Sequence, residues 1–213
     1  MRAMLEPLKG KLLGTAFRAP FLPIMESVAA AADVTNEAGV VEGVPGWWCR
    51  PRSVRPDAAV LYLHGGAYIA GSAHAHRHLA GQLAQRTGVD FFLPDYRLAP
   101  EHPFPAAADD AWAAWKGLAQ GIDRLAIVGD SAGGGLAPGL LAKIAARAGD
   151  GGPAARAAAV MSPTTDLAGT GPSMQSRAEA DFLLSEETGQ PGDQARSKQR
   201  SLSPGPPRPR IHV

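Results

Sequence analysis

The sequence has little cysteine, little excess charge and no long apolar run. Its 213 residues include one cysteine, Cys49, so no disulfide forms within the chain. We predict a small buried thiol beside Trp47 and Trp48 and, by default, a cytoplasmic protein. A net charge of +1 gives no reason to expect nucleic acid or an anionic membrane surface as partner. No stretch approaches the roughly 20 apolar residues that a membrane span needs.

Hydrophobic residues make up 45% of the chain and charged residues 19%, the balance of an ordinary globular protein. Short apolar runs alternate with longer stretches of helical periodicity, which indicates an α/β fold with a mostly parallel sheet covered by helices on both faces. A helix that begins after the N-cap Ser72 and ends at Gly88 separates the first two runs. The runs lie at 58–63, 89–93, 125–128 and 157–161, and residues 33–49 add one or two strands.

The two ends of the chain differ from this central pattern. Residues 4–17 repeat apolar positions at helical spacing, and we predict an amphipathic helix packed on its own domain. Residues 188–213 are rich in Pro, Arg, Gln and Ser, have no periodicity, and are expected to be a disordered tail. The abrupt change near Thr188 suggests that the chain is truncated or frameshifted there and that the last strands of the sheet are missing.

Gly-Asp-Ser-Ala-Gly at 129–133 follows the third apolar run and precedes a helical pattern. This context fits the G-x-S-x-G nucleophile elbow, in which a tight strand-to-helix turn lifts a serine hydroxyl above the sheet. The helix that follows directs its positive end and free N–H groups at the position where an oxyanion would form. We therefore predict that Ser131 is a nucleophile and that the N–H of Ala132 binds the oxyanion.

His64-Gly65-Gly66-Ala67 follows the first apolar run, where lipase-type enzymes supply further oxyanion donors. Glycines let the main chain approach a substrate closely. We predict that Gly65 and Gly66 donate to the oxyanion and that His64 shapes the loop by hydrogen bonding rather than acting as a base.

Four segments together resemble the bacterial hormone-sensitive-lipase-like esterases, the family IV lipolytic enzymes with an α/β-hydrolase fold. They are HGGAYIAGS (64–72), DYRLAPEHPFPAAADDAW (95–112), GDSAGGGLA (129–137) and SPTTDL (162–167). The resemblance covers roughly residues 25–187. In this sequence Ala67 replaces the third glycine of the usual H-G-G-G motif.

The resemblance implies hydrolysis of short- to medium-chain carboxylic esters through an acyl-enzyme, with a small-molecule ester as substrate and no metal or organic cofactor. It implies N-terminal cap helices, which we place at 1–40, and a partial hydrolase domain over 41–187, which the compositionally distinct tail over 188–213 follows. It also implies that Asp95, Arg97 and Glu101 form a buried polar network that positions loops.

The general base and its acid are the parts of a catalytic triad that the sequence does not supply. After Ser131 the only histidine is His212, in the proline-rich tail, so we predict weak or absent activity. Asp166 is predicted to be structural, and His74 and His78 form a solvated helix face rather than a metal pair.

Two other functions fit the same motifs, namely a non-catalytic scaffold that binds a small ligand, and hydrolysis of amides.

Without its last strands the sheet would end in an apolar edge, which favours self-association.

Overall fold

The structure is a computed structural model that describes residues 14–147, 154–168, 170–177 and 179–180. The predicted helix over 4–17 therefore lies mostly outside the described residues, as do the tail and His212. A short 3-10 helix, Gly14–Phe17, runs directly into α1, Arg18–Glu26.

The remaining elements alternate as the apolar runs predict. The strands are β1 Val34–Val41, β2 Val44–Pro51, β3 Ala58–Leu63, β4 Asp90–Pro94, β5 Arg124–Asp130 and β6 Ala157–Met161. The helices are α2 Ala73–Thr87, α3 Ala106–Ala119, α4 Ser131–Ala145 and the single turn α5 Ser173–Ser176. Because β1 begins at Val34, the sheet starts inside the segment 1–40 that we expected to form cap helices.

The described strands form one sheet in the order β1-β2-β4-β3-β5-β6. β1 and β2 pair with each other, and β2 pairs with β4, in antiparallel register. β4, β3, β5 and β6 are parallel. The carboxyl ends of β3, β5 and β6 therefore meet at one edge, which is where α/β proteins place their ligand sites.

Alternate residues of the central strands enter two separate cores. Leu61 and Ile127 point to the face covered by α3 and α4, together with the buried Trp115. Val60 and Tyr62 point to the opposite face, which α2 covers, together with the fully buried Cys49. The predicted sheet with helices on both faces is confirmed.

The strand β6 is exposed, as expected for the strand at the apolar edge of the sheet. All five of its residues are exposed, with Val160 at 42% and Met161 at 37%. The reason is position, since β6 pairs only with β5 and forms the edge of the sheet in the described part of the chain.

Helix α2 begins and ends as the sequence indicates. The Ser72 hydroxyl accepts from the Ala75 N–H at 3.0 Å, and Gly88 ends the helix with a φ of 65°. None of the helices in the described residues has the length and apolarity needed to cross a membrane.

Candidate active site

Ser131 lies where β5 ends and α4 begins, with a φ of 50°. A residue other than glycine in this left-handed region costs roughly 1–2 kcal/mol, so the surrounding structure has to maintain the strain. The Ser131 carbonyl accepts a 2.9 Å hydrogen bond from the Thr164 N–H, which ties the turn to the loop after β6. The backbone thus has the form that the nucleophile-elbow motif predicts.

The glycines around Ser131 allow backbone segments to touch. A Cβ on Gly129 would lie 2.4 Å from the Gly133 carbonyl oxygen, and one on Gly133 would lie 1.9 Å from the Leu63 carbonyl oxygen. Both distances are far below van der Waals contact. The first turn of α4 therefore packs directly against the end of β3, and a side chain at either position would separate them.

The loop over residues 64–72 lies beside this turn and is bonded along its length. The His64 carbonyl accepts from the Tyr96 hydroxyl at 2.6 Å, and the Tyr68 carbonyl accepts from the Ala99 N–H at 2.9 Å. A Cβ on Gly135 of α4 would lie 2.5 Å from the Tyr68 Oη, so the tyrosine side chain covers the start of the helix. The 64–72 loop and Ser131 thus belong to one packed unit.

Asp130, the residue before Ser131, links the two parts directly. Its Oδ1 accepts from the Gly65 N–H at 2.9 Å and from the Tyr62 hydroxyl at 2.8 Å. Sequence reasoning missed this role because it treated Asp130 as the variable position of the motif. The available signal was an acidic residue at the end of an otherwise apolar strand.

This contact corrects the prediction for Gly65. A backbone amide carries one hydrogen, and that of Gly65 already points at the Asp130 carboxylate, so Gly65 is not free to donate to an oxyanion. The N–H groups of Gly66 and Ala67 make no hydrogen bond within the described part of the chain. Ala67 has a φ of 55°, so the backbone is strained directly after Gly66.

His64 is completely buried, and its ring lies between two others. The ring centroids are 4.2 Å from Tyr96 and 5.0 Å from His76. Nδ1 lies 2.8 Å from the Gly65 carbonyl oxygen, and burial lowers the pKa of His64 to about 3. A neutral, enclosed imidazole fits the predicted loop-shaping role and not that of a base exposed to substrate.

His76 is also buried, and its ring stacks on that of His64. Its Nδ1 lies 3.0 Å from the Ser72 carbonyl oxygen, and burial lowers its pKa. Nε2 of both His64 and His76 is buried without a hydrogen-bond partner among the described residues. The histidine pair at the base of the loop is therefore held in the uncharged state.

Asp95, Arg97 and Glu101 do not form the buried network that the resemblance implies, because each bonds a different partner and two of them are exposed. Asp95 Oδ1 accepts from the Ala73 N–H at 2.6 Å, at the start of α2. Arg97 pairs with Asp110 at 2.7 Å, but its side chain is 49% exposed, and the Glu101 side chain is 52% exposed. The long side chains of Arg97 and Glu101 keep their charged ends largely in water while they pair with Asp110 of α3 and Arg18 of α1.

The other candidate groups do not join Ser131. Asp166 bonds locally, accepting from the N–H groups of Ala168 at 2.9 Å and Thr170 at 2.7 Å, as its predicted structural role requires. The ring of His78 lies against the Val28 carbonyl, and His74 is partly exposed. Within the described ranges no three His, Cys, Asp or Glu residues come close enough to hold a metal ion.

Strand β5, the strained turn at Ser131, helix α4 and the loop after β3 together have the arrangement of an α/β hydrolase active site. The sequence pattern of the family described as "alpha/beta hydrolase fold" matches residues 60–200. An esterase of the bacterial hormone-sensitive lipase family has a similar solved structure, with a TM-score of 0.78 and 34% identity. That match covers 89% of this chain and 64% of the esterase.

Curated relatives agree with the structural comparison. The chain is 44% identical over 138 residues to "Ethyl acetate hydrolase" of Pseudomonas putida, covering 62% of this chain and 42% of the relative. It is 38% identical over 177 residues to "Esterase LipI" of Mycobacterium tuberculosis, covering 78% of this chain and 52% of the relative. The chain belongs to the alpha/beta hydrolase fold family, and it is hormone-sensitive-lipase-like, as its four motifs predict. It spans about half the length of the curated relatives it matches.

Proposed function

We propose that the protein is a carboxylic ester hydrolase in which Ser131 is the nucleophile. The observation that carries the proposal is the strained backbone of Ser131, at a φ of 50°, on the turn between β5 and the N-terminus of α4. Strain of this kind persists only where the surroundings impose it, and it concentrates at functional sites. Relatives named as ethyl acetate hydrolase and esterase support ester chemistry.

The oxyanion donors in this proposal are the N–H groups of Gly66, Ala67 and Ala132. Gly66 and Ala67 replace the Gly65–Gly66 pair that the sequence suggested, because Asp130 occupies the Gly65 amide. Ala132 is the second residue of α4, so its N–H has no partner within the helix. Each such donor contributes about 3 kcal/mol to stabilisation of the transition state.

Ser131 Oγ would attack the ester carbonyl and form a tetrahedral oxyanion on these amides. Loss of the alcohol would leave an acyl-enzyme, which water then hydrolyses, and short- to medium-chain acyl groups are the proposed substrates. Efficient attack needs a base that takes the Oγ proton. No histidine in the described ranges makes a hydrogen bond to Ser131, so we propose slow acyl transfer for this chain.

A fluorophosphonate probe, which bonds covalently to a serine oxygen and loses fluoride, tests the nucleophile directly. The structure offers a matched control in Ser162, which follows β6 with a φ of 45° and is exposed. Ser162 shares the strained backbone and the strand-end position, but it does not begin a helix. We expect Ser131 to be modified at least about a hundredfold faster than Ser162, because one oxyanion donor alone is worth that much.

Site mapping by mass spectrometry on wild type, Ser131→Ala and Ser162→Ala decides the outcome. Labelling should disappear in the first variant and persist in the second. Equal labelling of both serines, or labelling that survives Ser131→Ala, would overturn Ser131 as the nucleophile. Hydrolysis of p-nitrophenyl butyrate should be weak and lost in Ser131→Ala; rapid turnover lost in that variant would refute slow acyl transfer.

A further inference from the structure

Arg18, the first residue of α1, bonds two loops of the site at once. Its Nε donates to the Ile69 carbonyl at 2.6 Å, and its Nη2 donates to the Ala99 carbonyl at 2.9 Å. Its two terminal nitrogens also form a bidentate pair with the Glu101 carboxylate, at 2.8 and 2.6 Å. One guanidinium thus joins the N-terminal helix, the 64–72 loop and the segment after β4.

Arg18 bonds the 64–72 loop beside the most strained residues of that loop. Ala67 and Tyr68, the two residues before Ile69, have φ values of 55° and 62°. Neither is glycine, so both conformations are unfavourable unless neighbouring bonds impose them. The Ala99 N–H holds the Tyr68 carbonyl at 2.9 Å, while Arg18 holds both the next loop carbonyl and the Ala99 carbonyl.

Helix α1 is itself packed against the rest of the protein, so Arg18 holds the loop from a fixed position. Ile24 is buried, with 5% of its surface exposed, and the Phe21 ring lies 5.8 Å from that of His76. Beyond the helix, Gln82 of α2 donates to the Ala29 carbonyl at 2.9 Å. Helix α2 therefore fixes the position of α1, and Arg18 of α1 in turn fixes the 64–72 loop by hydrogen bonds.

We propose that Arg18 is a positioning residue for the oxyanion donors: by holding the Ile69 and Ala99 carbonyls it maintains the strained backbone that aims the Gly66 and Ala67 amides. The inference rests on the proposed function of that loop. It makes the docking of α1 a condition for an ordered oxyanion site, although Arg18 itself touches neither substrate nor Ser131.

A simpler role for Arg18 is an exposed ion pair with Glu101, which would contribute little. Two substitutions separate these roles. Glu101→Gln removes the ionic partner and leaves both carbonyl contacts of Arg18 in place. Arg18→Met keeps an apolar stem of similar length and removes every hydrogen bond, while Arg18→Lys keeps the charge but cannot reach all three acceptors from one ammonium group.

Hydrogen exchange followed by mass spectrometry gives a readout that does not depend on catalysis. In Arg18→Met we expect amide exchange of Ile69 and Ala70, both bonded to the Gly66 carbonyl, to rise about tenfold, the usual effect of losing a hydrogen bond to a charged group. Exchange in β1, at the edge of the sheet opposite β6, should not change. Glu101→Gln should resemble wild type, and Arg18→Lys should fall between the two.

The rate of Ser131 phosphonylation tests the functional part. Arg18→Met should lower the maximal labelling rate about tenfold with little change in the probe's apparent affinity, whereas Glu101→Gln should keep the wild-type rate. If Arg18→Met exchanges and labels like wild type, or if Glu101→Gln has the same effect, the inference is wrong. If Arg18→Met does not fold, the comparison of Arg18→Lys with Glu101→Gln decides, by the same loop-exchange and labelling criteria.

Failure of the proposed function has a different signature. In that case wild-type Ser131 itself would not be labelled, while the exchange data would still show whether Arg18 holds the loop. Faster loop exchange with an unchanged labelling rate would leave Arg18 a purely structural residue and overturn its positioning role.

Discussion

Gly133 gives the most direct test of how tightly the serine turn is packed. A Cβ at this position would lie 1.9 Å from the Leu63 carbonyl oxygen and 2.6 Å from that of His64, both backbone atoms that cannot rotate away. Gly133→Ala therefore requires α4 to move away from β3 by about 1 Å to reach even the 3.0 Å that real Cβ atoms keep. Overpacking of this kind costs about 3 kcal/mol.

The helix supplies two matched comparisons for Gly133→Ala. Gly139 is exposed on α4, with nothing within 4 Å of its would-be Cβ. Gly139→Ala should therefore stabilise the protein by about 1 kcal/mol, the ordinary preference of helices for alanine. Gly134 is intermediate, since its Cβ would lie 3.0 Å from the Pro163 Cα.

We expect stability in the order Gly139→Ala, wild type, Gly134→Ala, Gly133→Ala, measured by urea and thermal unfolding under circular dichroism. With the helix-propensity gain subtracted, Gly133→Ala should lose about 2 kcal/mol, or about 4–8 °C in Tm for a chain of this size. Equal Tm changes for Gly133→Ala and Gly139→Ala would refute the packing described for this turn.

Two further predictions concern titration. Burial lowers the pKa of His64 to about 3, so only the unfolded chain gains a proton between pH 6.5 and 3. Stability should fall by about 2 kcal/mol from pH 7 to pH 5 through this group. Urea unfolding of His64→Phe should show a shallower pH dependence, and an identical slope would count against a neutral His64. Burial raises the pKa of Cys49 to about 12, so its contribution to stability is complete below pH 9 and is lost as the pH rises toward 12. At pH 8 a disulfide reagent should modify Cys49 only on the timescale of unfolding, and rapid reaction of the folded protein would contradict this.

The order and type of the elements could be predicted because local sequence determines them. The apolar runs at 58–63 and 157–161 coincide with β3 and β6, and Ser72 and Gly88 bound α2 as N-cap and C-cap residues do. These signals depend on neighbours within one or two turns of chain. The exposure of β6 does not follow from its apolar run alone, because exposure depends on which strands and helices pack beside it.

The outline of the site could also be predicted, because local sequence determines its motifs. The contacts within the site could not. The motif predicts Ser131 as the nucleophile, but the choice of proposed oxyanion donors depends on a contact between residues 65 positions apart, Gly65 and Asp130. Arg18 lies 51 positions from Ile69 and 83 from Glu101, and no pattern along the chain connects them. Long-range hydrogen bonds of this kind form only when the chain is folded, and they produce no periodic pattern in the sequence.

The distribution of strain explains why these distant contacts matter. Among the described residues, four other than glycine have a positive φ and follow the carboxyl ends of parallel strands, namely Ala67 and Tyr68 after β3, Ser131 after β5 and Ser162 after β6. A backbone in this region relaxes unless other groups hold it. At Ser131 the backbone is held by the Thr164 amide and by the close contacts of the neighbouring glycines. At the 64–72 loop it is held by hydrogen bonds to Asp130, Tyr96, the Ala99 amide and Arg18. Because the two sets of contacts meet at Asp130 and Tyr68, loosening one side should disturb the other. Under the proposed function, the precision of the serine turn then depends on the N-terminal helix as well as on the G-D-S-A-G motif itself.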